Sequence, residues 1–220
     1  MTVALAAVVT VIDVLNSTVL HPHYQTIVDH VGLDLDAVRA GRLWTMPAAT
    51  LIQTDLGLRW QGPVLVLFVL GSVGLLECLV GSVRALVTFF LSDWISAPLT
   101  ALVIWGLGSL GSDTARTLAH SPGVGSSAAA FGAVVAAAVL LPRPWREAVL
   151  TGLFGYLIVQ FTFERLDDSI AHLLAALIGA ALGLVWRRHL VREVTPRFFG
   201  LEQWSTRSRQ EAERPGYSGK

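Results

Sequence analysis

The stretch SIAHLLAALIGAALGLVW, Ser169–Trp186, decides the fold class of this chain. It contains no Asp, Glu, Lys or Arg, and His172 is its one titratable side chain. A helix needs roughly 20 mainly apolar residues to cross the hydrocarbon layer of a membrane, so this stretch predicts a membrane-spanning helix. Comparable apolar stretches predict five further spans, at Val3–Leu20, Pro63–Val80, Ala85–Gly108, Gly123–Leu141 and Ala148–Phe163.

The composition agrees with a membrane protein, because 53% of the residues are hydrophobic and only 15% are charged. A soluble domain carries about 25% charged residues, and the alternating pattern of an outer-membrane barrel is missing from the sequence. The sequence therefore predicts an all-α integral membrane protein with six transmembrane helices. Residues 1–190 form the predicted membrane domain, and the polar residues 191–220 are expected to be a disordered cytoplasmic tail.

The distribution of basic residues predicts the orientation. If both termini are cytoplasmic, eleven of the sixteen Lys and Arg residues lie inside and five lie outside, which agrees with the positive-inside rule. The first span has no basic leader and is expected to be retained rather than cleaved. An outer loop of about residues 21–62 then connects the first two spans, and its Trp44 and Trp60 favour the membrane interface.

Several function classes are disfavoured. The net charge is zero and no basic stripe is present, so nucleic acid is not an expected partner. The single cysteine, Cys78, excludes an internal disulfide and argues against a cysteine metal site, and no cofactor or metal is expected. A transporter is also disfavoured, because the sequence contains no convincing internal repeat.

Polar side chains within the predicted spans are the place to search for function, since such groups in hydrocarbon need a partner or a cavity. They are Asp13, Asn16, Glu77, Asp93, Ser126, Ser127, Gln160 and His172. The fourth and sixth predicted helices run in the same direction. Ser127 and His172 each lie about four residues, or roughly 6 Å, below the predicted outer start of their helices, so they share a depth.

The same two helices carry faces of small residues, which let membrane helices approach closely. The face of the fourth helix consists of Gly125, Ala128, Ala129, Gly132, Ala133 and Ala136. The face of the sixth helix consists of Ala175, Ala176, Gly179, Ala180 and Gly183. We therefore expect the two helices to pack together and to bring a serine hydroxyl within reach of the His172 imidazole.

A serine beside a histidine base can perform acyl transfer, and a helix that begins at the serine offers backbone N–H groups to an oxyanion. The alternative is that the serine and histidine side chains only link helices by hydrogen bonds. The helical wheel places Ser126 closer than Ser127 to the small face, so geometry alone does not choose between the two serines.

The chain resembles the rhomboid intramembrane serine proteases over about residues 41–188. The fourth helix resembles the family's Gly-x-Ser-Gly motif in Gly125-Ser126-Ser127-Ala128, followed by the aromatic–small pair Phe131-Gly132. The sixth helix resembles the family's Ala-His-x-x-Gly stretch in Ala171–Ala175, which is followed by Gly179 and Gly183. The second helix resembles that of the family in Glu77, Gly81 and Arg84. The resemblance implies a rhomboid-like bundle in which Ser127 is the nucleophile and His172 the general base.

Three departures accompany the resemblance. Ala128 and Ala175 replace family glycines, and no Trp-Arg pair occurs in the first outer loop. At the positions of the family's His-x-x-x-Asn pair, which helps to bind the oxyanion, this chain has Gln61 and Leu65. The resemblance implies cleavage of transmembrane protein substrates, with Gln61 as a candidate oxyanion donor. The alternative is a non-catalytic rhomboid-like protein that binds membrane helices in trafficking or assembly.

Overall fold

The computed structural model describes residues 1–18, 23–53, 61–163 and 165–190. The chain forms two units, Met1–Arg187 and Arg188–Lys220, and the features below belong to the first. The predicted disordered tail at 191–220 lies outside the described residues. The helices are α1 Thr2–Thr18, α2 Tyr24–Val31, α3 Leu35–Arg39, α4 Met46–Leu51, α5 Gln61–Val80, α6 Ser82–Ser109, α7 Asp113–Leu118, α8 Ser127–Leu140, α9 Arg143–Phe163 and α10 Leu166–Leu190, with a 3₁₀ turn at Leu43–Thr45.

A helix overlaps each of the six predicted spans, and in the described part of the chain three helices are long and apolar enough to cross a membrane. These are Pro63–Val80, Ser82–Ser109 and Leu166–His189. Helix α8 has 14 residues, and about 21 Å of helix does not cover a hydrocarbon layer of about 30 Å. The described residues form no strand beyond one isolated bridge between Leu33 and Gly123. The protein is therefore all-α, and its three long apolar helices indicate membrane association.

Helix α8 lies at the centre of the bundle, where it packs against α5, α6 and α9. Most of its residues are small and buried, including Ala129, Ala133 and Ala136, which have no exposed surface. Gly132 also makes room for α6, because a Cβ added there would lie 2.2 Å from Ser92 Oγ. Ser127, the first residue of this central helix, is partly buried.

The predicted packing of small faces between α8 and α10 is confirmed. A Cβ added to Gly179 would lie 2.1 Å from the carbonyl oxygen of Gly132, and one added to Gly183 would lie 2.8 Å from that of Ala136. On the other helix, a Cβ added to Gly132 would lie 3.0 Å from the carbonyl oxygen of Ala175. The two backbones therefore touch along this line, as small residues permit in membrane helices.

Helix α8 begins four residues after Gly123, the predicted start of the fourth span, and span boundaries read from sequence are uncertain by about 2–4 residues. Gly123 instead pairs with Leu33, each N–H donating to the other's carbonyl at 3.0 Å. Long-range backbone pairing thus extends the chain just before the helix. The apolar composition of the stretch gave no sign of that interruption.

Residues 23–53 of the predicted outer loop contain short helices, and this stretch is called the outer segment below. Its helices α3 and α4 pack on α6, where Leu33, Ala37 and Met46 form a buried cluster with Trp94. The N–H of Leu35 donates to the Ala119 carbonyl at 3.0 Å. The outer segment is therefore part of the bundle's packing, anchored to the loops that precede α8.

Glu77, predicted as a polar group within a span, lies where α5 ends and α1 begins. Its carboxylate accepts hydrogen bonds from the N–H and hydroxyl of Thr2 and from the Ser82 hydroxyl, and the Met1 ammonium lies 3.2 Å away. It therefore ties together the start of α1 and the α5–α6 turn, and it takes no part in the site below.

Candidate active site

The turn Gly125-Ser126-Ser127 leads the chain into α8. Gly125 has a φ of 135°, a conformation that costs a side-chain-bearing residue but not glycine. Its N–H donates to the carbonyl of Ala49 in α4 at 2.9 Å. The glycine of the predicted motif is therefore explained by backbone geometry, and the outer segment fixes where the turn lies.

Ser126 is fully buried and is held by Gln53 at the end of the outer segment. Gln53 Nε2 donates to Ser126 Oγ at 3.1 Å, and the Ser126 N–H donates to Gln53 Oε1 at 3.3 Å. The Gln53 carbonyl in turn accepts from the Tyr24 hydroxyl at 3.0 Å. Ser126 is thus engaged in structural hydrogen bonds, and Gln53 is a site residue for which the sequence gave no signal.

Ser127, in contrast, lines a cavity of about 100 Å³, called the Ser127 cavity below. His172 and Asp168 of α10 and Asp93 and Thr100 of α6 also line it. The outer segment supplies a further wall, through Leu33, Asp34, Met46 and Ala49, and the loop that precedes α8 supplies another. The cavity is large enough to hold water beside the Ser127 hydroxyl.

His172 is held by three contacts and is 6% exposed. Its Nδ1 lies 2.8 Å from the Asp168 carbonyl oxygen, and Gln160 Nε2 lies 3.2 Å from the same nitrogen. The Phe131 ring meets the imidazole edge-on, with centroids 5.3 Å apart. The Asp168 carbonyl only accepts and so favours a proton on Nδ1, whereas the Gln160 amide nitrogen only donates and favours Nδ1 without one. With the proton on Nδ1, Nε2 is the nitrogen that would serve as a general base.

The contacts between α8 and α10 place Ser127 and His172 at one level. Gly132 lies between Ala175 and Gly179 along α10. Ser127 precedes Gly132 by five residues, about 7.5 Å, whereas His172 precedes Ala175 and Gly179 by about 4.5 and 10.5 Å. Ser127 and His172 therefore lie at the same level along the paired helices, as predicted. The observed helices begin at different residues from the predicted ones.

Ser127 and His172 share a cavity but are not joined by a hydrogen bond. Within the described residues, the Ser127 hydroxyl makes no hydrogen bond to any partner. Serine–histidine pairs of hydrolases are often loose before substrate binds, so this geometry is compatible with a nucleophile and its base. The first backbone N–H groups of α8 have no partner within the helix and carry the positive end of its dipole, which suits an oxyanion.

The other predicted polar residues fall into different places. Asp93 accepts from the Thr50 hydroxyl at 2.5 Å, and the Trp94 indole donates to the same hydroxyl at 3.2 Å. Gln160 is fully buried beside His172. Asp13 lies in α1, away from the residues that line the Ser127 cavity, and the side chain of Asn16 lies outside the described part.

The candidate oxyanion donor Gln61 is the first residue of α5, and its side chain also lies outside the described part of the chain. In the ranges that the structure describes, no group of three or more His, Cys, Asp or Glu side chains could hold a metal ion. The described site therefore consists of the serine, the histidine, the start of α8 and the acidic groups that line the cavity.

No family model matches this chain, and no curated protein or solved structure is detectably similar to it. The resemblance to rhomboid proteases therefore rests on the motifs around Ser127 and His172 and on the contacts described above.

Proposed function

We propose that this chain is a rhomboid-like intramembrane serine protease that cleaves transmembrane protein substrates. Ser127 is the nucleophile and His172 the general base. The observation that carries the proposal is that both residues line one cavity, at one level of two helices whose backbones touch. The engagement of Ser126 by Gln53 supports the choice of Ser127, because it gives the neighbouring serine a separate role.

In this mechanism the Ser127 oxygen attacks the scissile carbonyl while its proton passes to Nε2 of His172. The Asp168 carbonyl, which accepts from Nδ1, stabilises the imidazolium that forms. His172 then protonates the leaving amine, and water in the cavity hydrolyses the acyl-enzyme with His172 again acting as base. The N–H groups at the start of α8 stabilise the oxyanion, with the Gln61 amide as a further donor.

The test is labelling of the purified protein by a serine-reactive fluorophosphonate, mapped by mass spectrometry, alongside cleavage of unstable membrane helices. Ser127→Ala should abolish both labelling and cleavage, and His172→Ala should nearly do so. Ser126→Ala is the matched control and should retain most activity. Cleavage that survives Ser127→Ala would refute the assignment.

A second candidate is a non-catalytic rhomboid-like protein that binds membrane helices in trafficking or assembly. Two observations favour it: the missing hydrogen bond of the Ser127 hydroxyl, and Gln61 and Leu65 in place of a His-x-x-x-Asn pair. Each lost oxyanion donor costs about 2.7–4 kcal/mol in hydrolases. Wild-type protein that captures membrane helices without labelling or cleavage would establish this function instead.

The proposed location is the cell membrane, with six spans and both termini cytoplasmic. The distribution of basic residues along the sequence supports this orientation. In a Cys78→Ala background, Asp36→Cys should react with an impermeant thiol reagent from outside, and Arg143→Cys only after permeabilisation. The reverse pattern would invert the proposed orientation.

A further inference from the structure

A second concave feature lies at the outer end of α6, separate from Ser127 and His172. This groove of about 450 Å³ is lined by Trp105, Gly108, Ser109, Arg116, Thr117, Ala119 and His120. No carboxylate is among its lining residues. Its composition is basic and aromatic, whereas the Ser127 cavity is lined by aspartates.

Arg116 is placed in the groove by α6 itself. Its Nε donates to the Gly108 carbonyl at 3.0 Å, and a Cβ added to Gly108 would lie 3.0 Å from Arg116 Cγ. Its Nη1 also donates to Asp113 at 3.1 Å, but that carboxylate is 93% exposed to solvent. These two bonds use two of the five N–H donors of a guanidinium, so the Nη2 group can still bind an anion.

A second guanidinium lies at the edge of the groove. Arg39 Cζ is 5.5 Å from the centroid of the Trp105 ring, in a cation–π contact. In the described part of the chain, Arg39 has no carboxylate within ion-pair distance. His120 differs, because its Nδ1 lies 2.8 Å from Asp36. The two arginines are therefore the groups that a further anion would meet.

The groove lies at the C-terminal end of α6, which is one of the described helices long and apolar enough to cross a membrane. Trp105 is in the last turn of α6, and it is 47% exposed, as expected for a tryptophan at the interface. Leu102, three residues before Trp105 and therefore on nearly the same face of α6, is an exposed apolar side chain. Apolar surface below and guanidinium groups above is the arrangement that complements a phospholipid, with its acyl chains along α6 and its phosphate at the arginines.

We propose that Arg39 and Arg116, arranged around Trp105, bind the phosphate of an anionic phospholipid at the outer end of α6. The site is independent of the proposed protease chemistry, since it uses neither Ser127 nor His172. Arginine suits it because its planar fork binds phosphate oxygens in pairs.

The experiment titrates the detergent-solubilised full chain with short-chain phosphatidylglycerol, phosphatidylcholine or inorganic phosphate, and measures bound ligand by native mass spectrometry. The wild type should bind phosphatidylglycerol about tenfold more tightly than phosphatidylcholine, and added salt should weaken that binding. Combining Arg39→Gln with Arg116→Gln should remove the difference in affinity between phosphatidylglycerol and phosphatidylcholine. Arg143→Gln with Arg146→Gln, at the turn between α8 and α9, is the matched control and should preserve it.

Arg116→Lys keeps the positive charge but loses the paired N–H donors of the guanidinium, so its affinity for phosphatidylglycerol should lie between those of the wild type and the double variant. This milder substitution keeps the test valid if the double variant misfolds. The thermal unfolding temperature without lipid should be lowered only slightly by the Arg116 substitutions, which lose the bond to the Gly108 carbonyl, because both arginine side chains are exposed. Equal binding of both lipids, or unchanged phosphatidylglycerol binding in the double variant, would overturn the proposal. Inorganic phosphate that binds as tightly as the lipid would identify free phosphate as the ligand and overturn the lipid assignment.

Discussion

The interface between α8 and α10 and the outer segment both help to bring Ser127 and His172 into one cavity, but with different chemistry. At the interface, backbone meets backbone at Gly132 and Gly179, with no side chain between them. The outer segment is joined by hydrogen bonds to the turn that precedes α8: the Ala49 carbonyl accepts from the Gly125 N–H, and the Gln53 amide both donates to and accepts from Ser126. The interface therefore sets the distance between α8 and α10. The outer segment sets the conformation of the turn that positions Ser127 at the start of α8.

The largest effect is expected at the interface, from Gly179→Leu. A side chain there must displace the Gly132 backbone, since even a Cβ would lie 2.1 Å from its carbonyl oxygen. Overpacking of this kind should lower the free energy of unfolding by about 3 kcal/mol. Thermal unfolding in detergent measures the effect, and labelling of Ser127 should fall with it.

The matched control is Gly152→Leu in α9, where an added Cβ would meet nothing within 4 Å. Leucine has a higher helix propensity than glycine, so this variant should unfold at the same or a slightly higher temperature. If Gly179→Leu behaved like Gly152→Leu, the close approach of α8 and α10 would be wrong.

An intermediate effect is expected in the outer segment, from Gln53→Ala. The substitution leaves the Ser126 hydroxyl and N–H buried without their partner, which should cost about 1–2 kcal/mol. If the outer segment orients Ser127, fluorophosphonate labelling measured well below the unfolding temperature should also slow. Gln53→Glu retains the acceptor for the Ser126 N–H and should retain part of the labelling rate.

Gln25→Ala controls for removal of an amide from the same segment, because Gln25 makes only an exposed hydrogen bond to Asp29 at 2.8 Å. Labelling that is equally slowed by both substitutions would show that Gln53 has no specific part in positioning Ser127.

The smallest effect is expected from Asp36→Asn, which removes the carboxylate that contacts His120 in the loop after α7, a contact that is an ion pair only when His120 is protonated. Asp36 and His120 are 56% and 58% exposed, so solvent screens the pair strongly. The loss should be below about 1 kcal/mol and should shrink further at high salt. A destabilisation as large as that of Gln53→Ala would mean that ion pairs, rather than buried amide contacts, hold the outer segment.

The contrast between the two regions also explains what could be predicted from sequence. The glycines of α10 recur at helical spacing, so the packing face of this helix can be identified from its own sequence, without knowing which helix it packs against. Gln53 and Ser126 are 73 positions apart, and nothing in either local sequence indicates that they pair. The four residues between the predicted and observed starts of α8 have the same cause, because the pairing that extends Gly123 comes from Leu33.

The sequence by itself determined that the chain is helical and membrane-associated, that α8 and α10 carry small faces, and that Ser127 and His172 are the residues to examine. These follow from apolar length and helical periodicity, which depend only on neighbouring residues. Tertiary structure alone decided that α8 is central, that Gln53 engages Ser126, and that the outer segment forms a wall of the cavity. Each of these depends on hydrogen bonds and contacts between distant parts of the chain, which form only when the helices pack and which leave no periodic pattern in the sequence.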